Sequence, residues 1–271
     1  MPSDLTFSAI TGFRLVTQAP DRLAEFYRAI GFDVGEARLI LGDEMALLGL
    51  EGGGWRRTMS LGPSRVDLDV FERPGRGYPV QATACDRLFQ HLALVTIDIE
   101  VAWSRAREAG ARPISRAGPV RLPQSAGGVT AIKFRDPEGH PLEWLQFPRG
   151  ANPDQSGEGA AQIDHSAICV ADVAASQGFY ARHGLSQGAR SLNQGPSQVA
   201  LDGLDDVEVD VAPMTPPTPS PHVELLGYRH PVAGMSDSLS ANDVAATRIV
   251  WRSDRAALLR DPDGHLLQLT P

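Results

Sequence analysis

Two stretches of the chain run from an apolar segment through an Asp-Pro-acidic-Gly turn into a second apolar segment. They are Phe134-Arg135-Asp136-Pro137-Glu138-Gly139-His140-Pro141-Leu142-Glu143-Trp144 and Leu259-Arg260-Asp261-Pro262-Asp263-Gly264-His265-Leu266-Leu267-Gln268-Leu269. Proline presets one turn dihedral and glycine accepts a positive one, so each stretch predicts a hairpin. Each closing strand sets one polar side chain, Glu143 or Gln268, among apolar neighbours. A second repeat matches Leu23-Ala24-Glu25-Phe26-Tyr27-Arg28-Ala29-Ile30-Gly31-Phe32 to Ser176-Gln177-Gly178-Phe179-Tyr180-Ala181-Arg182-His183-Gly184-Leu185, and each copy follows a β-like apolar run. The chain therefore reads as an internal duplication.

The pattern predicts an α+β protein of four units, each opening on a strand and most continuing into a helix and a short antiparallel sheet. Residues 1–148 form the first half, with units at 7–73 and 88–148. Residues 149–162, rich in Gly, Pro, Ser and acidic side chains, read as a linker. The second half, 163–271, holds units at 163–230 and 243–271, the last too short for its crossover helix. Within the first unit, strands are expected at Ala9 to Thr17, Glu44 to Leu50, Trp55 to Leu61 and Arg65 to Phe71, with a helix at Pro20 to Ile30. Asp98 and Asp172 are placed to cap helices. Pro213 to Pro221 reads as a connection before a last strand at His222 to Tyr228. The hairpin residues His140 and His265 are expected to be exposed.

With 271 residues, 42% of them hydrophobic, two ordinary domains can each bury a core. No run approaches a membrane span, and Met1 to Phe7 lacks the basic and apolar regions of a secretory signal, so a cytoplasmic protein is expected. A net charge of −8 with interspersed signs argues against nucleic acid and favours a small-molecule partner. Cys85 and Cys169 are too few for a disulfide framework and read as reduced packing residues. Lys133 is the only lysine, which we read as the codon bias of a GC-rich bacterium.

Aligning the units on their repeats puts Gly12, His91, His165 and Thr247 in register on the opening strands. Asp69, Glu143, Glu224 and Gln268 fall in register on the closing strands. Units two and three thus each supply a histidine and a glutamate. Imidazole and carboxylate are ligands for Zn²⁺, Ni²⁺, Mn²⁺ or Fe²⁺, and strands hold them rigidly. His91, Glu143, His165 and Glu224 are the candidate ligands of a divalent metal.

The repeated β-α-β-β-β units, the Phe-Tyr helices and the Asp-Pro-Glu/Asp-Gly-His hairpins resemble the vicinal oxygen chelate superfamily of glyoxalases, bleomycin-resistance proteins and extradiol dioxygenases. The resemblance covers nearly the whole chain. It implies two glyoxalase-like cups, each a sheet from two paired units, with ligands on the first and last strands. Pairing units two and three, as in fused two-site glyoxalases, collects all four candidates in one cup and leaves the outer units a degenerate Gly12, Asp69, Thr247 and Gln268; this pairing is the favoured one. Pairing within each half would leave neither cup complete.

The favoured activity is a metal-dependent lyase, isomerase or epimerase acting on a small carbonyl or enolisable substrate. The metal polarises an oxygen, and Glu224 or Glu143 moves a proton with a pKa raised by apolar surroundings. One rival is a metal-free binding or drug-sequestering protein, whose cleft Trp55, Trp103, Trp144 and Trp251 would line. Another is ring cleavage by an extradiol-type iron site, disfavoured because no pair of sequential units brings two opening-strand histidines beside a carboxylate and because no clear extra acid/base histidine is seen. A monomer and a homodimer are equally compatible.

Overall fold

The computed structural model of the protein describes residues 5–148, 150, 161–218, 221–232, 234 and 238–271. The expected linker at 149–162 lies outside them apart from residues 150, 161 and 162. Unit one supplies β1 (Ala9–Val16), α1 (Pro20–Ala29), β2 (Asp33–Ile40), α2 (Asp43–Leu47), β3 (Gly54–Leu61) and β4 (Ser64–Phe71). Unit two supplies β5 (Gln90–Val95), α3 (Ile99–Glu108), β6 (Arg112–Pro113), β7 (Val120–Arg121), a 3-10 turn at Gln124–Ala126, β8 (Thr130–Arg135) and β9 (Pro141–Gln146). Unit three contains β10 (Ile163–Cys169), α4 (Val173–Arg182), β11 (Ser186–Gln187), β12 (Ser191–Gln194), α5 (Pro196–Asp202), β13 (Glu208–Thr215) and β14 (His222–His230). Unit four has only β15 (Arg248–Arg252), β16 (Ala257–Arg260) and β17 (Leu266–Thr270).

Local chemistry accounts for most boundaries. Pro20 opens α1, whose buried Leu23, Ala24, Phe26 and Tyr27 form its core stripe. Asp98 caps α3 by accepting from Val101 N, and Asp172 caps α4 by accepting from Ala174 N and Ala175 N. Two expectations fail. The strand expected at Glu44 to Leu50 is the short helix α2, because Met45 and Leu48 bury one helical face after a left-handed Gly42. Pro213 lies inside β13 rather than in a connection. Its missing N–H falls where the β12 pairing has ended and the β11 pairing has not begun, so no ladder bond is lost.

The strands form two sheets in an α+β arrangement. One has the order β16-β17-β15-β1-β4-β3-β2 and joins units four and one; the other, β11-β13-β14-β10-β5-β9-β8-β6 with β12 on β13 and β7 on β8, joins units three and two. Each sheet therefore draws on both halves of the sequence, and the pairing is the one favoured above. Antiparallel opening strands, β1 with β15 and β5 with β10, lie at the centre of each sheet. One continuous core of Phe7, Phe13, Phe26, Trp103, Trp144, Tyr180, Trp251 and their neighbours packs both sheets and their helices together.

The two repeated motifs meet each other. Asp136, in the unit-two hairpin, accepts from its own turn's Glu138 N, Gly139 N and His140 N and from Tyr27 OH on α1. His140 Nε2 donates to the Val16 carbonyl at 2.9 Å, and Glu138 takes Thr17 Oγ1 and Gln18 N. In the unit-four hairpin Asp261 accepts from Tyr180 OH on α4, His265 Nε2 donates to Cys169 O, and Asp263 caps Ala171 N. Each hairpin thus clasps the other sheet. This buries His140 and His265, at 1% and 6% exposure, against the expectation from their turns.

Burial alone would lower the His140 imidazole, but the Asp136 carboxylate 2.7 Å away outweighs it and raises the pKa above the usual 6.5. A raised imidazole stabilises fully below about pH 6.5, and this contribution fades as pH climbs through its folded value. His140→Gln is expected to cost about 1–3 kcal/mol and to cost more near pH 5.5 than near pH 9. Thermal midpoints at both pH values check this; equal losses would refute the charge contribution.

Candidate metal centre

The parallel ladders set the ligand geometry. Glu143 on β9 pairs with Ala93 on β5, and His91 lies two residues before Ala93; Glu224 on β14 pairs with Ala167 on β10, and His165 lies two residues before Ala167. Residues two apart on a strand share a face, so both histidines and both glutamates project from one side of the sheet. Ala93 and Ala167, both fully buried, are the small floor between them.

His91 Nε2 lies 3.1 Å from Glu143 Oε2, and His165 Nε2 lies 3.9 Å from the same oxygen. One ligand atom from each of His91, Glu143 and His165 lies within 4.8 Å of the other two, and all three residues are buried. Glu224 stands beside this trio rather than inside it. Its Oε2 is 3.5 Å from His165 Nε2, its Oε1 is 3.7 Å from His222 Nε2, and its side chain is 22% exposed. His165 Nδ1 donates to Asp164 Oδ2 at 2.8 Å, which fixes the ring and directs Nε2 toward the glutamates. A cavity of about 380 Å³, a size suited to a small molecule, lies over these groups. Its wall also includes Lys133, Gln198 and Tyr228 but no tryptophan. Among the tryptophans, Trp103, Trp144 and Trp251 are buried in the core, and Trp55 is exposed.

The electrostatics differ from the expected raised glutamate. Burial would raise Glu143, but His91 outweighs it and holds the carboxyl below the usual range. Burial would likewise raise Glu224, yet His165 and His222 bring it down to about 2. Burial would lower His165, whereas Glu224 and Asp164 lift it to about 9; burial does lower His91, against the pull of Glu143. Histidines rather than apolar side chains decide these carboxylates. The residues fit a cation. Three carboxylates, Asp164, Glu143 and Glu224, gather around the His165 imidazole, leaving excess negative charge that a cation beside His91 Nε2 would offset.

The outer cup has gone another way. Asp69 pairs with Val16, and Arg14 lies two residues earlier; Gln268 pairs with Val250, and Arg248 lies two residues earlier. Arg14 and Arg248, not Gly12 and Thr247, are therefore the counterparts of the site histidines. Asp69 is fully buried between Arg56, at 2.6 and 2.7 Å, and Arg248, at 2.6 Å; Asp67 holds Arg14 at 3.3 Å. Burial and the neighbouring Arg56 charge lower Arg14 to about 10. Guanidinium groups occupy the positions from which imidazoles would bind a metal, so this cup supplies its own cations.

The fold superposes on a glyoxalase I mutant from Zea mays over 97% of this chain and 92% of the other, with TM-score 0.64 and 14% identity. Glyoxalase I itself from Zea mays matches over 97% and 92% of the two chains, with TM-score 0.60 and 13% identity. A Bacillus subtilis protein designated a provisional dioxygenase matches over 97% and 85%, with TM-score 0.60 and 10% identity. At such identities the likeness is one of fold. Curated protein sequences give no match. No helix among the described residues is long and apolar enough to cross a membrane. A family-level sequence profile described as Glyoxalase/Bleomycin resistance protein/Dioxygenase superfamily matches residues 9–144, half of the chain, and the chain belongs to that superfamily.

Proposed function

We propose that the protein is a metal-dependent lyase, isomerase or epimerase of the glyoxalase type, acting on a small carbonyl or enolisable substrate in the cavity between units two and three. The observation that carries this reading is the convergence of His91, Glu143 and His165 on one point in the floor of that cavity. These three residues would hold a divalent cation, Zn²⁺, Ni²⁺, Mn²⁺ or Fe²⁺, with Glu224 beside them at the rim. A cation bound there supplies Lewis acidity to a substrate carbonyl oxygen. Glu224, the less enclosed carboxylate, takes the proton from the adjacent carbon and returns it, while the more enclosed Glu143 is kept as a ligand. Asp164 keeps His165 in the required tautomer. The apolar Leu122, Val129 and Leu145 on the cavity wall exclude bulk water.

Plasma mass spectrometry after reconstitution with each of the four ions is expected to find near-stoichiometric metal. Glu224→Gln is expected to retain that metal and to lose about a hundredfold or more of the solvent deuterium exchange of a carbonyl substrate. Absence of metal under all four conditions would remove this reading and leave a metal-free binding protein.

The pairing of units two and three also favours a second reading. It brings two histidines and one carboxylate together, the donor set of extradiol-type iron oxygenases, and answers the first of the two objections to ring cleavage. Oxygen uptake by the Fe²⁺-loaded protein with catechol separates the two.

A further inference from the structure

Lys133 is directly opposite Glu143 across the β8–β9 ladder and lines the same cavity. Its side chain is 5% exposed, and its Nζ donates to Asp202 Oδ1 at 2.6 Å. Asp202 is itself fully committed. Its other oxygen accepts from Gln198 Nε2 at 2.8 Å and from Tyr228 OH at 2.9 Å, so three donors anchor the carboxylate on α5. An ammonium carries three donors, and Asp202 engages one of them. Among the described residues the remaining two have no acceptor, although the group is buried at the wall of a cavity that already holds a polar cluster. A purely structural ion pair would need no cavity beside it, and buried ammonium donors without acceptors are costly.

We propose that Lys133 receives a carboxylate of the substrate, so that this site takes a small carbonyl compound bearing a carboxylate. The inference rests on the metal reading above, because an anion entering the cavity meets Glu143 and Glu224 and needs a cation there to offset them. Asp202, Gln198 and Tyr228 are positioning residues: they hold the ammonium in place and leave its free donors to the ligand. Charge-assisted hydrogen bonds of this type are the stronger ones, and a bound carboxylate would accept one or two.

Because Lys133 is the only lysine, carbon-13 labelling at the lysine ε carbon gives one resonance that reports on it in the unmutated protein. Titrating the metal-loaded protein with pyruvate or levulinate is expected to shift that resonance to saturation, and the neutral pyruvamide is expected to leave it unmoved. In calorimetry, Lys133→Met is expected to weaken the acid about tenfold or more with little effect on the amide. Should that variant fail to fold, the labelled unmutated protein still decides. A resonance unmoved by both acids, or moved equally by the amide, overturns the proposal. Metal content measured on the same samples keeps the two readings apart. Bound metal with an unmoved resonance overturns the Lys133 assignment alone, while absence of bound metal removes the metal reading and the Lys133 assignment with it.

Discussion

Asp69→Asn is expected to lower the thermal midpoint by about 10 °C while leaving metal content unchanged. Asp69 is fully buried and bridges Arg56 and Arg248, themselves almost wholly buried. Removing its charge leaves two guanidiniums with, among the described residues, Asp67 and the partly exposed Glu44 as the nearby counterions. Breaking a buried ion pair from one side costs about 3–5 kcal/mol, and for a chain of this size each kilocalorie moves the midpoint by roughly 2–4 °C. Calorimetric scans of the variant beside the unmutated protein check the first half of the expectation, and metal analysis checks the second. A midpoint within about 2 °C would show that Asp67 and Glu44 suffice to neutralise the arginines. Loss of metal would show that the two cups are coupled.

His91→Ala and His165→Ala are expected to act in the opposite sense, with metal affinity reduced and the fold retained. Losing a residue that merely orients a ligand costs about 10–100-fold in affinity, so losing a direct ligand should cost at least about a hundredfold. The two variants should be alike, since each histidine comes from a different unit but the same sheet. Competition with a chelator of known affinity measures the effect. Retained affinity in His91→Ala, with loss in His165→Ala, would move the cation to the alternative cluster of Asp164, His165 and His222, which shares only His165 with the first, and retained affinity in both would exclude either cluster.

Much of this site can be read from the chain because His91, Glu143, His165 and Glu224 occupy repeat-equivalent positions, and the structure gathers them in one cup. That Glu224 stands to one side, and that histidines rather than apolar neighbours set its acidity, depends on side-chain distances that no repeat encodes. The outer cup escapes alignment by repeat for a concrete reason. Gly12 lies at a register shift in β1, and only the ladder with β4 shows that Arg14 is the counterpart of His91. Burial of His140 was hidden because its acceptor, Val16 O, is on a different sheet and 124 residues away. Lys133 passed as a mark of codon usage; its partner Asp202 lies on α5, a helix in another unit.

Units two and three form a sheet from one uninterrupted stretch, Gln90 to His230, whereas units one and four bracket that stretch like parentheses. The order of synthesis then matters. The sheet that carries the candidate metal centre can assemble as soon as β14 is made, while β1 must wait for β15, made more than two hundred residues later. Until then unit one lacks its strand partner β15 and is held by its own hairpins, the shared apolar core and the clasp of Glu138 and His140. A nascent chain would thus acquire its binding cup first and its rigid, charge-locked companion last.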